Sequence, residues 1–67
     1  MRVYDYRDGS VLKGTPSEEL VAASAEAEPT GAVLARLDGG VWHHVPDQDA
    51  DHYRRNLRED VVTVYVL

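Results

Sequence analysis

The sequence predicts an α+β domain: one main helix packed on a mainly antiparallel sheet of three to five strands, in the order β(β)αββ(short α or loop)β. Three observations carry this expectation. Residues 61–67, Val-Val-Thr-Val-Tyr-Val-Leu, form an unbroken β-branched and aromatic run without charge, Gly or Pro, which is strand chemistry. Residues 15–28 join a capping signal to an Ala-rich body, and residues 31–45 hold two short apolar runs around an Asp-Gly-Gly turn.

Residues 1–7 alternate loosely and suit a first strand, with Val3, Asp5 and Arg7 on one face and Arg2, Tyr4 and Tyr6 on the other. Asp8-Gly9-Ser10 is a turn signal, because Asp tolerates left-handed geometry and Gly adopts it freely. Val11-Leu12-Lys13 either continues as a short second strand or leads into the helix, and Gly14 frees the chain. Thr15-Pro16-Ser17-Glu18 fits a capping box with Thr15 as N-cap, Pro16 at the first helical position and Glu18 three residues after the cap. Glu18 and Glu19 place negative charge at the positive end of the helix dipole. The helix body, residues 19–28, is made of good helix formers and stops at Pro29. Leu20, Ala23, Ser24 and Ala27 recur at helical spacing, with Val21 at the edge of the stripe. Most of that stripe is small, so the helix can approach a sheet closely while bringing little bulk.

Residues 31–37 read as a strand, Asp38-Gly39-Gly40 as a hairpin turn, and residues 41–45 as the returning strand stopped by Pro46. Residues 47–60 are polar and hold either a short helix near residues 49–56 or a solvated loop; the early Asp and later Arg residues stand in the order a helix dipole favours. The closing strand follows.

Alternation puts Val62, Val64 and Val66 on one face of that strand and Val61, Thr63, Tyr65 and Leu67 on the other. With the Val-rich sets under the helix, the second face is expected to carry Tyr4, Tyr6, Trp42 and Tyr65, with Arg2, Arg36 and His44 among them. A one-residue slip inverts any strand. Two other arrangements compete: residues 47–60 fold over this face with Tyr53 and Leu57, or the aromatics form the core and the Val set faces outward.

Size and composition set the bounds. A 67-residue chain reads as a single domain spanning 1–67, and chains of this size bury only about 60% of their unfolded surface. Without Cys, it has no disulfide to offset that. A net charge of -5 argues against a general phosphate-backbone binder. No run approaches the roughly 20 apolar residues of a membrane span, and Met1-Arg2 opens no apolar leader. A cytoplasmic location with no membrane partner is the expectation.

Catalytic and metal chemistry find little support. His43 and His44 are adjacent on a strand and point to opposite faces, so a shared ion with His52 is unfavourable. Asp47-x-Asp49-x-Asp51 resembles the opening of a calcium loop, but His52 and Arg58 stand where that loop needs Gly and Glu. No Ser lies in a nucleophile motif, and the Gly pair at 39–40 is followed by no phosphate-loop Lys. Arg54-Arg55-x-x-Arg58 is the one basic cluster, flanked by acidic residues that neutralise it. No cofactor, metal site or enzymatic activity is expected.

The leading expectation is therefore a non-enzymatic, acidic protein-binding module, an accessory or regulatory protein that docks on a protein partner through a sheet face or edge. Its candidate contact residues are Tyr4, Tyr6, Arg36, Trp42, His44 and Tyr65. If the closing strand lies at the sheet edge, self-association through it into a homodimer is a further expectation. An acidic decoy for a DNA- or RNA-binding protein is the alternative. A nucleic-acid-binding module using a Tyr/Trp face comes third, with the net charge against it.

Overall fold

The computed structural model describes residues 1–67 and gives an α+β architecture with a larger sheet than expected. Its strands are β1 (Val3–Asp5), β2 (Val11–Leu12), β3 (Thr15–Pro16), β4 (Val33–Asp38), β5 (Val41–His44) and β6 (Val62–Val66); the helices are α1 (Glu18–Glu26) and α2 (Ala50–Arg55). The six strands form one mixed sheet in the order β2-β1-β6-β4-β5-β3. All neighbours are antiparallel except β3 and β5.

β6 is central. It pairs with β1 through Val3↔Val66, Tyr4↔Tyr65 and Asp5↔Val64, and with β4 through Val33↔Val64, Leu34↔Thr63 and Ala35↔Val62. With partners on both sides, β6 is no edge, so the route to a homodimer by pairing this strand across a two-fold axis is closed.

The helix starts two residues later than the capping box suggests. Ser17, not Thr15, is the N-cap, and its Oγ accepts from the Leu20 N–H at 3.1 Å. Thr15 and Pro16 instead add the short parallel strand β3: the Thr15 N–H donates to Gly40 O at 3.0 Å and the Ser17 N–H to Trp42 O at 2.9 Å. Residue 16 is then the position whose nitrogen points away from β5, where proline's missing donor costs nothing. Glu18 and Glu19 still sit in the first turn of α1. At the other end α1 closes with Ala27 as its C-cap, two residues ahead of Pro29.

One face of the sheet lies under α1. Val3, Ala35, Trp42 and Val64 pack with Leu20 into the main cluster, and Leu12, Val33, Val62 and Val66 pack against it. The Val62, Val64 and Val66 set thus meets the helix, as the alternation predicts. Full burial of Leu20 alone is worth about 1.5–3 kcal/mol.

The phase of the hairpin overturns part of the expected face. Gly39 and Gly40, with φ of 58° and 78°, form a two-residue loop closed by the pair Asp38↔Val41. That register sets Leu37 opposite Trp42 and Ala35 opposite His44. Trp42 and His44 therefore belong to the helix side of the sheet, and Val41 and His43 to the other.

Residues 47–60 fold over the β4–β5 half of that other face. A single 3-10 turn, Asp47–Asp49, leads into α2, so the helical reading of this segment holds over Ala50–Arg55. The Arg36 guanidinium lies over the Tyr53 ring, 4.9 Å from its centroid, and 3.4 Å from Glu59 Oε2. Val45 and Ala50 are buried, while Leu57 stays half-exposed.

Candidate functional site

The half of the sheet that neither α1 nor α2 covers carries three tyrosines. The β1–β6 register sets Tyr4 directly opposite Tyr65, and their rings stack with centroids 5.2 Å apart and 10° between planes. Tyr6 meets the Tyr65 ring edge-on at 6.2 Å and 89°. Both geometries suit the aromatic quadrupole, and directly opposed pairs are where cross-strand side chains interact best. Val11, paired with Tyr4 across β2, continues the patch outward. Tyr6 and Val11 are 45% and 53% exposed, so the patch is open on its outer side.

The turn after β1 holds Tyr6 in place. The Tyr6 N–H donates to Thr63 O at 3.0 Å, extending the β1–β6 ladder past Asp5. The Asp5 N–H donates to Ser10 O and the Gly9 N–H to Asp5 O, each at 2.8 Å. Asp8 Oδ1 accepts the Ser10 N–H at 2.9 Å, and this hydrogen bond holds the exposed Asp8 carboxyl below its ordinary pKa.

The remaining candidate residues are dispersed. Arg36 is on the same sheet face as the tyrosines, but its side chain is only 19% exposed and is held by Tyr53, Glu59 and Asp38. Glu59 Oε2 is buried with no hydrogen bond, so its contact with Arg36 is one of charge. Trp42 is in the core, 6% exposed, with Nε1 donating to the Lys13 carbonyl at 2.7 Å. His44 lies across the sheet from the tyrosines, beside a cleft of about 380 Å3 that also involves Ala27, Pro46 and Asp47. Tyr4, Tyr6 and Tyr65 are thus brought together, and Arg36, Trp42 and His44 are not. Val11, not among the candidate contact residues, joins them through the short second strand that is one of the two readings of Val11-Leu12-Lys13.

The polar residues weighed for metal or phosphate chemistry are likewise scattered. No three His, Cys, Asp or Glu side chains are grouped to hold a metal ion. His43 and His44 take opposite faces of β5, and His52 Nδ1 is 3.2 Å from Asn56 Nδ2 on α2. Asp47, Asp49 and Asp51 lie in the helical entry to α2 rather than in a loop, and Arg54 and Arg55 sit exposed in its last turn.

Fold and surface together define a small α+β domain with one open, tyrosine-lined half-face. No protein-family model, no curated protein and no solved structure matches this chain. No helix is long and apolar enough to cross a membrane.

Proposed function

We propose that this protein is a non-enzymatic binding module that docks on a protein partner through the Tyr4–Tyr6–Tyr65 half-face. The carrying observation is the exposure of Tyr6 and Val11 beside the stacked Tyr4–Tyr65 pair, on the half of this sheet face that α2 leaves open. Tyrosine supplies a large contact area at low entropic cost and is enriched among residues that dominate binding energy. The net charge of -5 favours a partner with a basic surface, because long-range attraction raises the encounter rate. The stacked pair speaks against base stacking, since Tyr4 and Tyr65 each spend one ring face on the other.

The test uses affinity capture from the source cell followed by titration of the retained protein against purified variants. Tyr6→Ala removes an exposed ring with no backbone role and is expected to weaken binding about tenfold or more. Glu19→Ala, exposed on α1, is expected to leave it unchanged. Equal affinity for wild type and Tyr6→Ala would remove the tyrosine face from the interface. Sedimentation at several concentrations separates docking on a partner from docking on a second copy, which would replace this reading.

A further inference from the structure

Asp5 is the only buried charged residue of the chain, at 6% exposure. Carboxylates are almost never buried unless paired, and this one is poorly paired. Its Oδ1 accepts the Arg7 backbone N–H at 2.8 Å, a good bond that helps fix the turn. Its Oδ2 has only the Arg7 guanidinium, at 3.3 Å, from a side chain that is 84% exposed. Charge-assisted contacts normally close to about 2.7–2.9 Å. The pairing is therefore loose, and one carboxylate oxygen is available to a better-placed cation.

That carboxylate lines a cleft of about 320 Å3 at the β1–β2 turn end of the sheet. The other walls are Arg7, Leu12, Val61, Val62 and Thr63. A single carboxylate against largely aliphatic walls is a poor donor set for a metal ion, which wants six or more oxygens when hard. It suits a long cationic side chain, whose methylene stem lies along Leu12, Val61 and Val62 while its head reaches the acid. The volume is at the small end of ligand sites.

We propose that this cleft is a socket for one lysine or arginine side chain of a protein partner, anchored by the Asp5 carboxylate. Arg7 is the stand-in occupant: the chain's own guanidinium covers the acid until an incoming cation displaces it into solvent. The socket does not depend on the tyrosine half-face, because it is defined by different residues and tested by a different variant pair. Failure of the Tyr6→Ala experiment leaves it standing, and failure here leaves the tyrosine reading standing.

The experiment is a nuclear magnetic resonance titration of the full chain with N-acetyl-arginine amide, N-acetyl-lysine amide and the neutral isostere N-acetyl-citrulline amide. The expected result is saturable shifts at Asp5, Leu12 and residues 61–63 with the two cations, with dissociation constants on the order of millimolar, and none with citrulline. Arg7→Ala frees the acid and is expected to tighten cation binding about two- to fivefold, since the competing closed state is removed. Asp5→Asn keeps an acceptor for the Arg7 N–H and is expected to abolish the cation response. The proposal is overturned if citrulline shifts the same resonances equally, if Arg7→Ala shows no saturable shift, or if folded Asp5→Asn binds as wild type does. Should Asp5→Asn fail to fold, the Arg7→Ala and citrulline comparisons decide the matter alone.

Discussion

Ser24 shows how one small side chain joins helix to sheet. The β4–β6 register, continued two residues past Val33↔Val64, would set Gly31 opposite Val66. No direct bond forms there. Instead the Ser24 hydroxyl stands between them, donating to Gly31 O at 2.8 Å and accepting the Val66 N–H at 3.2 Å. The side chain itself is only 6% exposed. Ser24→Ala therefore takes one hydrogen bond from the Gly31 carbonyl and one from the Val66 N–H, a loss of about 1–3 kcal/mol. Urea denaturation is expected to show this as a lower midpoint with an unchanged slope, together with faster hydrogen exchange at Val66. A change below about 0.5 kcal/mol, the ordinary size of a surface substitution, would mean that the hydroxyl is not the link. Gly14 is similarly committed: at φ +108° an added Cβ would lie 3.0 Å from both Gly40 O and Leu37 Cδ1, and 3.1 Å from Trp42 Cδ1.

Among the elements, α2 depends most on a few side chains. Tyr53 lies beneath the Arg36 guanidinium, and Glu59 and Asp38 flank that cation at 3.4 and 3.6 Å. With only Ala50 buried on α2 itself, little else holds this six-residue helix down, and an isolated helix so short does not persist in water. Tyr53→Ala is expected to let α2 open locally, with exchange of amides 50–55 rising at least tenfold while β1 and β6 stay protected. Unchanged protection in α2 would show that the Arg36–Tyr53 contact does not anchor it. This docking was open in the sequence because it is tertiary: nothing near Tyr53 specifies Arg36. By contrast, α1, β4, β5 and β6 were legible from local signals, namely runs of helix formers, β-branched residues and Gly in turns. The phase of β5 was also within reach. A Gly39–Gly40 loop forces Asp38 opposite Val41, so Leu37 and Trp42 must share a face, and this would have taken Trp42 and His44 out of the candidate site. Thr15-Pro16 misled because proline at a helix start and proline at the outward position of an edge strand look alike in sequence.

At the scale of the whole molecule, the sheet is built around its most apolar strand. β6 joins the β1–β2 pair to the β4–β5–β3 group, so the backbone ladder between the two halves of the sheet runs through it. The outer strands β2 and β3 are two residues each, and β3 contains Pro16, which gives edges that recruit further strands poorly. The Cα radius of gyration is 10.9 Å, matching the roughly 11 Å of a compact chain of this length. A fold of 67 residues is stable by roughly 3–10 kcal/mol in total. Removing residues 65–67 deletes the Tyr65 and Val66 pairings to β1, both Arg2–Leu67 backbone bonds and the N–H that Ser24 accepts. Tyr65 and Val66 are partly buried, so each contributes less than the roughly 1.5–3 kcal/mol of a fully buried side chain; with about 1 kcal/mol for each net hydrogen bond, the loss takes up much of the available stability. The truncated chain is expected to lose its cooperative thermal transition and its amide dispersion, whereas removing Met1, 75% exposed, is expected to change neither. A truncated chain that still melts cooperatively within a few degrees of the full one would show that the Asp5↔Val64 pairing and the Tyr6–Thr63 bond, which the truncation spares, suffice to hold β1 against β6.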